Sequence, residues 1–187
     1  MIAKNAKDLA KLAMLKPPAT DHLQAATDAK HYADLLIENK LWMPALNYMS
    51  HAIPAREGIW WAWFCAKRAV LADANEEIKQ ALGLAEKWIA QPSDENRIAA
   101  KNFAERIPAG SPAQCVLEAI SFIGEIEDPI SGSKAPAIPY MSSKFVAAAV
   151  VGASYLPNPE QPELAANEYL QQAFVVAGRI NLWTQYS

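Results

Sequence analysis

Asp28, His31 and Asp34 step by three residues within a stretch of helical patterning that also holds Asp21 and His22. That step sets two carboxylates and an imidazole in a slanting stripe on one side of a helix. Such groups bind divalent metals, but a site needs more ligands from a second element. His51 is the one other histidine. The plainer reading is a solvated polar face opposite Tyr32, Leu35 and Leu36. No metal is therefore expected, and Asp28, His31 and Asp34 stand only as the residues that would hold one.

The two cysteines offer thiol chemistry in principle. Cys65 sits among Trp63, Phe64 and Ala66, where burial raises a thiol pKa and makes it inert. Cys115 falls on an apolar helix side with Leu117, Ile120 and Phe122 nearby. Both are expected to be structural and reduced. Glu125, Glu127 and Asp128 could do acid–base work, but nothing supplies a partner set, so a solvated turn is expected. The sequence contains no phosphate loop, dinucleotide fingerprint, nucleophile elbow, zincin motif or Cys-x-x-Cys pair. No catalytic residue and no cofactor are expected.

Residues 53–70, IPAREGIWWAWFCAKRAV, form the most informative segment. At ~100° per residue, Glu57, Trp60, Trp61, Phe64 and Arg68 share one broad face. Ala62, Cys65, Ala66 and Ala69 share another, and all are small. A helix apolar on all sides belongs in the middle of a domain. Glu57 suits the positive helix start, and Lys67 and Arg68 suit the negative end. Arg56 could stack on Trp60 one turn on. A sharper reading gathers Arg56, Glu57, Trp60 and Arg68 around a ligand or a partner's anchor, because Trp and Arg dominate binding hot spots. Trp42 and Met43, in the segment WMPALNYM, are the other candidates for partner contact; core packing is the alternative there. If residues 59–66 are core, Trp61→Ala or Trp63→Ala should unfold or aggregate the protein.

The elements that must position these residues are helices. Alanine is abundant, glycine numbers only 7 among 187 residues, and no hairpin turn separates apolar runs. The 13 prolines fall mostly between periodic segments. About eight or nine helices follow from caps and periodicity. They cover residues 3–15, 21–38, 44–52, 54–71, 76–90, 93–107, a segment from 112, 142–155 and 162–182. The expected fold class is all-α: a compact irregular bundle around a central apolar helix near 54–71. A second central helix is expected over 146–153, which is apolar and built of small residues. Helix starts near 54, 75, 93 and 111 leave a short solenoid as the alternative, although the tetratricopeptide pattern is not matched.

A single domain over 1–187 is expected, with 1–18 a terminal helix and linker and 128–139 a long loop. Hydrophobic residues make up 52% and charged residues 20%, which excludes disorder. A net charge of −3 argues against a nucleic-acid partner held on a basic face. The longest apolar runs, 59–66 and 145–156, fall short of the ~20 residues a membrane span needs. Nothing marks export, so a cytoplasmic setting is expected.

The stretch Pro54-Ala55-Arg56-Glu57-Gly58-Ile59-Trp60-Trp61-Ala62 resembles the signature of an uncharacterised family of bacterial helical proteins, a domain of unknown function. The apolar segment 146–153 and Trp88 fit that likeness, which spans roughly residues 20–180. Gly58 departs from it, standing where a better helix former is expected. The resemblance implies a helical, cytoplasmic bacterial protein with no assigned chemistry, and relatives that accompany type VI secretion genes. Two functions are carried forward. The first is a non-enzymatic adaptor or accessory module whose partner is another protein or a second copy. The second is a ligand-binding protein or enzyme with an interhelical pocket near the Trp cluster.

Overall fold

The computed structural model describes residues 5–70, 75–127, 133–138 and 140–186. Among them the chain is all-α, and helices account for nearly all of its regular structure. In order these are α1 (Ala6–Leu12), a 3₁₀ turn (Ala19–Gln24), α2 (Ala29–Glu38), α3 (Trp42–Ala52) and α4 (Ala55–Ala69). Then come α5 (Glu76–Ala90), α6 (Asp94–Ala104), α7 (Pro112–Ser121), α8 (Met141–Tyr155), α9 (Pro162–Arg179) and a last 3₁₀ turn (Leu182–Gln185).

Local chemistry sets most starts. The side chains of Asn5, Asp28, Asn75, Ser93 and Ser111 each accept a hydrogen bond from a first-turn amide of α1, α2, α5, α6 and α7. Pro112 follows Ser111 at the first helical position, where its missing N–H costs nothing. Between α3 and α4, Pro54 forces Ile53 into an extended conformation and so separates the two helices.

The expected helix over 21–38 is broken in two. Asp28 turns its carboxylate onto the amide of His31 at 2.8 Å and starts α2 afresh, with Ala19–Gln24 a separate 3₁₀ turn. Residues 125–136 also differ from expectation. Two three-residue strands, β1 (Glu125–Glu127) and β2 (Lys134–Pro136), pair antiparallel with Glu125 opposite Pro136. The expected helix boundaries at Ala3 and Leu71, and Asp128 and Pro139 of the expected loop, lie outside the described residues.

α4 is central. It packs on α5, α7, α8 and α9, while α8 packs on α3, α4, α7 and α9. Contacts between elements far apart in sequence exclude the solenoid, where each unit touches only its neighbours. The small stripe Ala62, Cys65, Ala66 and Ala69 is buried, as is Gly58 at its start. A Cβ built on Gly58 would lie 3.7 Å from both γ-carbons of Val146, so this stripe meets α8. Along α8, Val146, Ala147, Ala149, Val150 and Ala153 are buried. The tryptophans divide. Trp61 is 0% exposed and donates its indole N–H to the Tyr169 carbonyl of α9 at 2.9 Å. Trp60 and Trp63 are half-buried. Trp63 donates to the Leu82 carbonyl of α5 at 3.0 Å.

Tyrosine hydroxyls tie the remaining segments in. Tyr32 donates to the Ala19 carbonyl at 2.9 Å, Tyr48 to that of Ala29 at 3.1 Å, and Tyr186 to that of Ala52 at 2.7 Å. Burial pushes the Tyr32 phenol up to about 12, with the Asp21 charge adding to it.

Candidate functional site

The residues singled out on α4 do not converge. Arg56 is exposed, and its Nη2 reaches the Ile89 carbonyl at the end of α5, 3.5 Å away. A guanidinium suits that negative helix end. Glu57 occupies the first turn of α4, where a carboxylate meets the positive helix start. Trp60 stacks on Phe64 with ring centroids 5.9 Å apart. Arg68 pairs with Glu168 of α9 at 2.7 Å, both side chains exposed. On α4 a cation covers Trp63, with Lys67 at 4.5 Å to the ring centroid. Of these four side chains, Arg56 thus serves α5, Arg68 serves α9, and Glu57 and Trp60 stay on α4 itself.

Trp42 and Met43 are half-buried, and the segment they open is mostly core. Ala45, Leu46, Tyr48 and Met49 are all buried. Tyr48 meets Tyr32 edge to face, 5.0 Å between centroids.

Each residue of the acidic–imidazole stripe has other work. Asp28 caps α2, and the hydrogen bond from the His31 amide holds its carboxyl below the ordinary range. Nδ1 of His31 lies 3.2 Å from the Thr27 amide. Asp34 pairs with Lys30 at 2.7 Å. Among the described residues no three His, Cys, Asp or Glu side chains are gathered as a metal would need. Burial raises the pKa of both Cys65 and Cys115, with Glu168 and Glu118 respectively adding to it, and the thiols are protonated at neutral pH.

Two concavities stand out that the sequence pattern did not single out. One is an apolar groove of about 540 Å³ where the end of α4 meets α5, the turn before α7 and the end of α8. Val70, Ile78, Pro108, Pro112 and Leu156 line it. Leu156 is 47% exposed, and beyond it Leu164 is 64% exposed, beside Pro157 and the Arg68–Glu168 pair. The one sequence signal was the apolar run 145–156, whose last residue ends up on the surface. The other is a cavity of about 410 Å³ where the end of α3 meets the starts of α4 and α8. His51 and Ser142 both line it. Ninety residues of intervening chain left no local sign that they would meet.

No helix among the described residues is long and apolar enough to cross a membrane. Residues 32–177 match a family of unknown function, DUF6931, and the chain belongs to that family. The match begins in α2 and ends in α9, so it takes in both central helices and the Trp61–Tyr169 bond. No curated protein and no solved structure matches the chain.

Proposed function

We propose that this member of a family of unknown function works by binding another protein, as a non-enzymatic adaptor or accessory module. The observation that carries the reading is the apolar groove at Leu156. Val70, Ile78, Pro108 and Pro112 surround a half-exposed leucine, and Leu164 extends the apolar surface toward the exposed Arg68–Glu168 pair. An apolar floor with a charged rim is the anatomy of a recognition patch. The occupant it suits is one face of a partner's amphipathic helix, whose apolar side chains would fill the groove. The likeness of residues 54–62 to a bacterial signature adds a cytoplasmic setting beside type VI secretion components to this proposal.

The test is a comparison of three proteins in affinity capture from source lysate: the parent, Leu156→Asp, and Val175→Asp as a control on α9, where Val175 is 45% exposed. The expected result is a protein retained by the parent and by Val175→Asp and lost with Leu156→Asp. Capture that survives Leu156→Asp removes the groove as the docking site. A concentration-dependent dimer that Leu156→Asp abolishes would replace the foreign helix with a second copy of this chain.

A further inference from the structure

Beside the apolar groove, and meeting it at the Leu156–Pro157 step, lies a polar recess of about 360 Å³. It opens where α4, the turn between α8 and α9, and α9 itself come together. Arg68 and Glu168 stand at its edge, Tyr169 at its floor, and Pro157 and Leu164 on its apolar side.

Tyr169 is the unexplained member. It is 1% exposed, yet among the described residues its hydroxyl has no hydrogen-bond partner. Tyr32, Tyr48 and Tyr186 each donate theirs to a backbone carbonyl. Interior polar atoms are almost always paired, so this one calls for a partner. The unpartnered side-chain atoms that are sealed from solvent belong to His51 and Ser142, so the Tyr169 oxygen keeps an opening. That opening is the recess, whose wall Tyr169 forms together with Arg68 and Glu168. The charges of those two residues both act on the phenol. Burial keeps the phenol protonated, so it has a proton to donate.

The ion pair above it has hydrogen-bonding capacity to spare. Arg68 spends its Nε on Oε1 of Glu168 at 2.7 Å. Among the described residues, the Nη groups of Arg68 and the second oxygen of Glu168 make no hydrogen bond. A cation, an anion and a hydroxyl thus stand side by side, each with a valence unused. A simple anion gains from Arg68 and loses to Glu168, and a simple cation does the reverse. A dipolar ion gains from both.

We propose that this recess binds a free α-amino acid with an apolar side chain. Its carboxylate accepts from the Nη groups of Arg68 and from the Tyr169 hydroxyl. Its ammonium donates to the second oxygen of Glu168, and its side chain lies against Leu164 and Pro157. The size suits one small molecule, since ligand pockets begin at about 300 Å³. Arg68 and Glu168 are both open to water, so the affinity is millimolar. The recess shares its rim with the groove at Leu156 but does not rest on that groove taking a partner.

The experiment titrates the full chain with L-leucine, isocaproate and isoamylamine, followed by ¹H–¹⁵N spectra that include the Arg68 side chain. Isocaproate lacks the ammonium of leucine, and isoamylamine lacks its carboxylate. Leucine should shift Nε of Arg68 saturably and bind about fivefold or more tightly than either. Tyr169→Phe removes only an unpartnered oxygen, so its unfolding midpoint should match or exceed that of the parent, while leucine binding weakens about threefold or more. Glu168→Gln should erase the preference for leucine over isocaproate, because the ammonium has lost its carboxylate. Leu156→Asp should leave leucine binding unchanged, so the two readings stand or fall separately. The proposal is overturned if leucine does not move Arg68, if either truncated compound binds as tightly, or if Tyr169→Phe keeps the parent's affinity. It is equally overturned if Glu168→Gln keeps the parent's preference.

Discussion

Replacing Trp61 by alanine tests the central claim about α4 most directly. The indole is wholly enclosed, and its N–H spans from α4 to the Tyr169 carbonyl of α9. Truncating a buried Trp costs about 3–5 kcal/mol, from lost burial plus the cavity left behind. The lost hydrogen bond supplies about 0.5–1.5 kcal/mol of this. Tyr169 lies within α9, where its carbonyl has a helical donor of its own, so no orphan acceptor adds to the cost. A domain of this size loses about 2–4 °C per kcal/mol, so the midpoint should fall by roughly 6–20 °C. Total stability is of order 5–15 kcal/mol, so the variant sits near the edge of folding. Trp63→Ala is the internal comparison. That ring is half-buried, and it forfeits the Leu82 bond and the Lys67 contact, for about 1–2.5 kcal/mol. Thermal and urea unfolding followed by circular dichroism would rank the two. A Trp61→Ala protein within about 1 kcal/mol of the parent, or one more stable than Trp63→Ala, would refute the placement of Trp61 at the centre.

Gly58→Ala should stabilise the protein by about 0.5–1 kcal/mol, because glycine weakens a helix interior. The added Cβ makes only ordinary contact with Val146 at 3.7 Å, and unfolding midpoints would show the gain or expose a clash. His51 should make stability depend on pH. Its folded pKa is depressed, chiefly by burial, so the unfolded chain takes up the proton first. Stability should therefore fall as pH drops below about 6.5 and continue falling until the folded ring itself titrates. Midpoints measured from pH 8 to pH 5 should show this fall in the parent and a smaller one in His51→Phe.

Features governed by local chemistry could be read from residue order. Asn75, Ser93 and the Ser111–Pro112 pair announce their helices because capping needs only the next three residues. Residues 76–90 were anticipated to the residue for that reason. The break before α2 was hidden, because Asp28 looked like one more polar position in a continuing helix. The strands at 125–127 and 134–136 are too short to carry a periodicity. The centrality of α4 followed from its composition. Which rings are enclosed did not, because Trp60, Trp61 and Trp63 differ only in what α5 and α9 bring against them. Arg56 and Arg68 look like one constellation on a helical wheel, yet Arg56 reaches the end of α5 and Arg68 a residue inside α9. His51 and Ser142 meet only through tertiary packing, so no spacing rule could pair them.

The bond from Trp61 to Tyr169 joins residues 108 positions apart. A ribosome adding about 5–20 residues per second needs roughly 5–22 s to make that stretch. For most of that interval α4 has been made, while α8 and α9, which pack on it, are still incomplete. Such delayed closure leaves apolar surface of α4 uncovered during synthesis, the kind of exposure that invites aggregation. It also makes synthesis speed between these two residues a determinant of yield.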